Sequence, residues 1–186
     1  MAFFGLFSCS NGATTKADLV NKKVLVVYYS WGGNTKAVGD YIADKLGADV
    51  YQIETLTAYP TDYDTCVKKV GIQGRKYEPE LKQTTVNVSD YDIVFIGSPC
   101  WWGTIANPVR TFINGNSFEG KTVIPFMTNG TSGNRLQEVK GLCKGATVLD
   151  GLSIYNCYQV ETKENTADNM GDWKAAVDEW LVKIGK

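Results

Sequence analysis

From Lys22 onward, short runs of β-branched and aromatic residues alternate with stretches whose apolar positions recur every third or fourth residue. Runs of the first kind predict strands buried on both faces, and stretches of the second kind predict amphipathic helices. The chain therefore reads as one doubly wound α/β domain, a parallel sheet with helices on both sides. Val24 to Tyr29 is the first strand, a buried central one. Asn34 to Leu46 follows as a helix, with Val38, Ile42 and Leu46 on one face and Gly47 as its stop. Val50 to Ile53 is a second strand. The polar stretch from Leu56 to Thr85 yields only a helix over Asp64 to Gln73, which Gly71 and Gly74 weaken. Ile93 to Gly97 is the third strand, and Ser98-Pro99-Cys100-Trp101-Trp102-Gly103 reads as the loop beyond it. Asn107-Pro108 opens a helix through Ile113 as N-cap and first turn. Thr122 to Met127 is the fourth strand, in which Pro125 is best tolerated at a bulge or an edge. Ser132 to Leu142 is a short helix, and Ala146 to Leu149 with Leu152 to Tyr155 forms an interrupted fifth strand. The last helix, Asp172 to Ile184, sets Trp173, Val177, Trp180, Leu181 and Ile184 on one stripe, so these two tryptophans belong to the core.

Composition narrows the chemistry. The chain has 186 residues, 44% of them hydrophobic, which suits a single well-cored domain. It contains no histidine, which excludes His-ligated metal sites and His-based catalytic pairs. A formal net charge of −1 gives no field for steering nucleic acid or anionic membranes. The five cysteines, at positions 9, 66, 100, 143 and 157, include no C-x-x-C pair, so reduced thiols in a cytoplasmic protein are expected. No apolar run reaches the roughly 20 residues of a membrane span. Residues 1–21 read as a tail or leader remnant; Leu6-Phe7-Ser8-Cys9 loosely resembles a lipoprotein cleavage box, which leaves a lipid anchor at Cys9 as the alternative location. The domain is expected to occupy residues 22–186.

In doubly wound sheets, ligands sit beyond the carboxyl ends of the strands, where the strand order reverses. The loop after the first strand, Ser30-Trp31-Gly32-Gly33-Asn34-Thr35, offers hydroxyls and free N–H groups at a helix start. That combination binds a phosphate dianion without any Lys or Arg, although an ordinary Gly-rich turn would have the same composition. The run V-L-V-V-Y-Y-S-W-G-G-N-T from Val24 to Thr35 resembles the first strand and phosphate loop of the flavodoxin family, with Gly32 where that family usually has Thr. The second match, I-G-S-P-C-W-W-G from Ile96 to Gly103, is similar to a divergent flavodoxin-like group with Trp-Trp-Gly after the third strand. This resemblance implies a five-stranded parallel sheet of order 2-1-3-4-5 and bound FMN.

The same resemblance implies roles for the three loops. Ser30, Trp31, Gly32, Gly33, Asn34 and Thr35 would hold the phosphate. Ser98, Pro99, Cys100, Trp101, Trp102 and Gly103 would hold the isoalloxazine ring, with one indole stacked on it. Thr128, Asn129, Gly130 and Gly133 would meet its pyrimidine edge. In the family a peptide beside flavin N5 turns over with redox state, and Trp102-Gly103 is the matching peptide here. The implied role is electron transfer with redox partner proteins or a small-molecule acceptor. The alternative is an FMN-dependent NAD(P)H reductase of quinones or similar acceptors. No catalytic side chain and no metal ligand are assigned. Two decoys fall on context. Gly115 to Thr122 matches the P-loop pattern G-x-x-x-x-G-K-[ST], but a helix precedes it and a strand follows, the reverse of a nucleoside-triphosphate site. Cys100 lacks the Arg of a C-x-x-x-x-x-R phosphatase loop, since position 106 is Ala.

Overall fold

The computed structural model describes residue 19 and residues 21–83, 85–130, 135–155 and 170–185. The readings placed on Cys9, on Cys157 and on Thr131 to Gly133 lie outside the described residues.

Strands β1 (Val24–Tyr28), β2 (Asp49–Gln52), β3 (Ile93–Trp101), β4 (Thr104–Ile105), β5 (Thr122–Asn129), β6 (Thr147–Val148) and β7 (Leu152–Tyr155) alternate with five helices. These are α1 (Asn34–Leu46), α2 (Tyr63–Gln73), α3 (Asn107–Asn114), α4 (Gln137–Leu142) and α5 (Trp173–Ile184). The sheet order is β2-β1-β3-β5-β6; β7 also runs parallel to β5, while β4 folds back antiparallel on β3. With β6 and β7 taken as two pieces of one strand, this is the expected parallel order. The order reverses between β1 and β3, which places the ligand crevice there.

Period-two alternation divides β1 between two cores. Leu25, Val27 and Tyr29 face Cys66 and Val70 of α2, Val109, Phe112 and Ile113 of α3, and Val139 of α4. Val24, Val26 and Tyr28 face Val38 and Ile42 of α1 and Trp173, Val177, Trp180 and Ile184 of α5. The two α5 tryptophans are buried as their spacing requires, and the Trp180 indole N–H donates to the Asp150 carbonyl at 3.1 Å.

Four local expectations need correction. The third strand does not end at Gly97 but runs to Trp101. Gly97 O accepts from Tyr29 N–H at 3.2 Å, so odd positions of β3 face β1, and Pro99 falls one step past the last β1 rung, where no ladder bond is lost. Pro125 sits inside the sheet and not at its edge. Leu149 N–H donates to Val123 O, so odd positions of β5 face this neighbour, and opposite Pro125 the neighbour breaks between Val148 and Leu152. The proline thus explains the interruption. The cap of α3 is Ala106 and not Asn107, whose side-chain N–H donates to Gly74 O at 3.2 Å and ties α3 to the end of α2. Helix α4 starts at Gln137, so Arg135 and Leu136 fall outside the helix that was expected to include them.

Helix α2 forms with Asp62 as its N-cap, the carboxylate accepting from Thr65 N–H at 2.8 Å. Neither of its doubtful glycines breaks it. Gly74 is its C-cap, and Gly71 leaves room for the Trp102 ring, whose Cζ2 would lie 3.2 Å from a Cβ there.

Candidate functional site

A cleft of about 400 Å³ opens at the carboxyl ends of β1, β3 and β5. Ser30, Trp31, Gly32, Asn34 and Thr35 line it from the first loop, Pro99, Cys100, Trp101, Trp102 and Gly103 from the second, and Thr128, Asn129 and Gly130 from the third. Its size falls within the usual range for small-molecule sites, about 300–1,000 Å³.

Gly33 is the N-cap of α1 at φ 94°, and no side chain caps the first turn. A helix start without a cap leaves N–H groups for an anion. Gly33 itself does not line the cleft; its N–H donates to Ser30 Oγ at 3.1 Å and shapes the turn. Across the cleft the Thr35 and Thr128 hydroxyls meet at 2.8 Å, both residues buried, which fixes the first loop against the third.

Chain direction reverses tightly at the end of β3. Cys100 pairs with Ile105 and Trp101 with Thr104, leaving Trp102 and Gly103 as a two-residue hairpin with φ 50° and 73°. Positive φ at both positions is the requirement of a type I′ turn, and Gly103 meets it without strain. The two indoles differ. Trp101 is wedged edge-on against Tyr29 at 5.4 Å and Tyr59 at 4.8 Å between ring centroids. Trp102 is 57% exposed, pinned by its N–H to Val67 O at 3.3 Å. Trp31, at the lip, donates its indole N–H to Pro60 O at 2.7 Å and leans on Tyr63.

Ser98 stands apart from the rest of its loop. It is buried outside the cleft, where Oγ donates to Pro99 O and accepts from Ala106 N–H, both at 2.8 Å, and so braces the hairpin. Gly133 lies outside the described residues. Four lining residues were missed: Tyr63, Cys66, Val67 and Val70 of α2. Their i, i+3, i+4, i+7 spacing was the available signal, but it sat in the stretch read as ambiguous.

Burial pushes the Cys66 thiol up to about 11 and raises that of Cys100, the latter against N–H donation from Gly103 and the charge of Arg135. Both cleft cysteines stay protonated at neutral pH and serve as small apolar wall. The Asn129 amide donates to Ser153 Oγ at 2.7 Å and to Ile154 O at 3.2 Å, while its buried Oδ1 has no hydrogen-bond partner among the described residues.

The hairpin is anchored from behind. Thr104 Oγ and Ile105 N–H donate to one oxygen of Glu138, and Arg110 donates to the other. Burial pushes the Glu138 carboxyl up, but these bonds and the Arg110 charge outweigh it and hold the group below its usual range. A folded pKa below the unfolded value of about 4.3 contributes stability that is present above that pH and lost as pH falls through the folded pKa. Glu138→Gln is therefore expected to cost about 2 kcal/mol at pH 7, by leaving Arg110 unpaired, with the gap from wild type closing below about pH 4. Urea titrations across that pH range measure it; a constant gap would refute the assignment.

The P-loop reading is excluded by position as well as by context. Gly115 to Thr122 precedes β5 at the opposite end of the sheet, and Lys121 Nζ is spent on the carbonyls of Ser89 and Tyr91 at 3.1 and 2.7 Å. Among the described residues no cluster of three metal-ligating side chains occurs, and no helix is long and apolar enough to cross a membrane.

Fold and site together define a doubly wound α/β protein with a ligand cleft at its switch point, walled by an exposed indole and closed by an uncapped helix start. The flavodoxin family profile matches residues 23–172, and the chain belongs to that family. Among solved structures it is similar to a candidate flavoprotein of Bacteroides eggerthii (29% identity, covering 88% of this chain and 98% of that one, TM-score 0.69). A candidate flavoprotein of Bacteroides uniformis is 26% identical over 81% of this chain and 96% of that one, with a TM-score of 0.64. A flavoprotein of Lactobacillus acidophilus, solved in complex with FMN, is 24% identical over 71% of this chain and 93% of that one, with a TM-score of 0.60.

Proposed function

We propose that this protein binds FMN non-covalently in the cleft and transfers electrons through it. The observation that carries the reading is the convergence on one cleft of an uncapped helix start and a half-exposed indole. These suit, in turn, a phosphate and a flat apolar ring. The family membership and the FMN complex of the Lactobacillus acidophilus protein support the same cofactor. The flavin supplies the redox chemistry; the chain's part is to bind, orient and tune it.

The protein is expected to purify yellow, or to take up FMN one-to-one with quenching of flavin fluorescence. A colourless protein that rejects FMN would end the reading. The second reading, an NAD(P)H-dependent reductase of quinones or similar acceptors, is favoured by the net charge of −1, which provides no strong acidic field for docking a basic partner. Anaerobic NADPH separates the two. Direct bleaching of the flavin band identifies a reductase, and bleaching only with a separate reductase identifies a carrier.

The Trp102-Gly103 peptide can turn over only if position 103 tolerates both backbone orientations. Gly103→Ala, at φ 73°, is expected to shift the flavin's one-electron and two-electron potentials apart by different amounts. Potentiometric titration checks this, and unchanged potentials would remove the peptide's role.

A further inference from the structure

We infer that the mouth of the cleft holds a second ligand, a small oxyanion-bearing molecule clasped by Arg75 and Arg135 over Gly103. Arg75 lies just past the end of α2 and Arg135 just before α4, so only the tertiary fold brings them together. An atom at the Cβ position of Gly103 would lie 3.9 Å from Arg135 Nε and 4.0 Å from Arg75 Nη2, with nothing nearer. Among the described residues neither guanidinium has an ion pair. The carboxylate of Glu138, whose charge reaches the same Cys100 as that of Arg135, has both oxygens occupied by Thr104, Ile105 and Arg110.

Two cations no more than about 8 Å apart repel by on the order of 1–2 kcal/mol under partial screening. An oxyanion between them reverses the sign and takes charge-assisted hydrogen bonds from both.

Arg75 borders a small cavity of about 180 Å³ between α2 and the hairpin, with Val70, Trp101 and Trp102 as apolar walls. That is close to the ~150 Å³ of a cavity that takes benzene. The two indoles separate this cavity from the larger cleft, and Gly103 faces the latter. The fitting ligand is a small carboxylate or phosphate held over Gly103 beside the redox site, and only its Arg75 side borders the small cavity. Its role as electron acceptor or donor rests on the flavin reading; its binding does not.

Calorimetric titration of the purified protein with benzoate, benzamide and inorganic phosphate tests the site. Expected is one-to-one binding of benzoate, at least tenfold weaker binding of neutral benzamide, and at least a tenfold loss in both Arg75→Gln and Arg135→Gln. Phosphate binding more tightly than benzoate, with the same dependence on both arginines, would support the clasp and identify a phosphate as its source. No saturable binding of either anion, or binding unchanged in both variants, overturns the proposal. Each titration is repeated with saturating FMN, and loss of the anion on loading would also overturn it, because the arginines would then serve the cofactor. Visible absorbance reports FMN and calorimetry reports the anion, so failure of one reading is distinct from failure of the other.

Discussion

Gly97→Ala is expected to destabilise the fold by about 3 kcal/mol and lower the melting temperature by roughly 6–12 °C. A Cβ at Gly97 would stand 2.8 Å from Tyr28 Cβ and closer still to the Phe126 ring. Both neighbours are fully buried, on β1 and β5, and neither can move away without opening the sheet. Tyr28 is further held by its hydroxyl, which donates to Asp40 at 2.6 Å. Gly97 also lies one residue before the Ser98 brace, so the strain would reach the hairpin and weaken cofactor binding as well. Adding Phe126→Leu should recover part of the stability, because it shortens the ring that the new methyl meets. Thermal denaturation measures both steps. A Gly97→Ala protein melting with wild type would show that β3 can shift and that the contact is not rigid.

The second large effect concerns the cofactor. Trp102→Ala is expected to raise the FMN dissociation constant about 10- to 100-fold, taking stacking on an aromatic face as worth about 1–3 kcal/mol. Trp102 is 57% exposed and pinned at one edge, so a flat ligand can cover it and remove apolar surface from water. The FMN-free protein should lose less stability than the Trp101 variant, since more than half of Trp102 is exposed. Trp101→Ala should show the opposite balance, a loss of stability without cofactor, because its ring fills the space between Tyr29 and Tyr59. Fluorescence titration of each variant with FMN, beside its melting curve, separates the two tryptophans. Equal FMN affinity in Trp102→Ala and wild type would assign the platform elsewhere.

The tryptophans also show how far the sequence could be read. Helical spacing was enough to place Trp173 and Trp180 in the core, because a stripe at i, i+4, i+7 has one face and that face is buried. It could not divide Trp101 from Trp102, which are adjacent in sequence. Their roles depend on a turn in which both central residues take positive φ. Nor was the turn legible, because Trp-Gly is not a usual type I′ pair and Pro99 argued against a strand that in fact continues past it. That inference failed for a topological reason: a missing N–H matters only where a neighbouring strand remains to receive it, and β1 has already ended.

Helix α2 went the other way. Its N-cap Asp62 and its stripe of Tyr63, Cys66, Val67 and Val70 were present in the sequence, but Gly71 masked them, since a mid-helix glycine has a known cost and its compensation lies on another element. Gly71 exists to seat Trp102, a residue 31 positions later in the chain.

By itself, then, the sequence determined the doubly wound sheet, the first phosphate-type loop at its place before α1, the absence of imidazole chemistry and the family resemblance. The first three follow from short-range periodicity and composition, which the backbone enforces locally, and the resemblance follows from the two motifs at Val24 to Thr35 and Ile96 to Gly103. Only the tertiary structure decided that Ser98 and Gly33 support the site without lining it, that α2 supplies its fourth wall, and that Arg75 and Arg135 meet over Gly103. Each of those depends on distances between residues far apart in the chain, and such distances are set by strand order and helix packing.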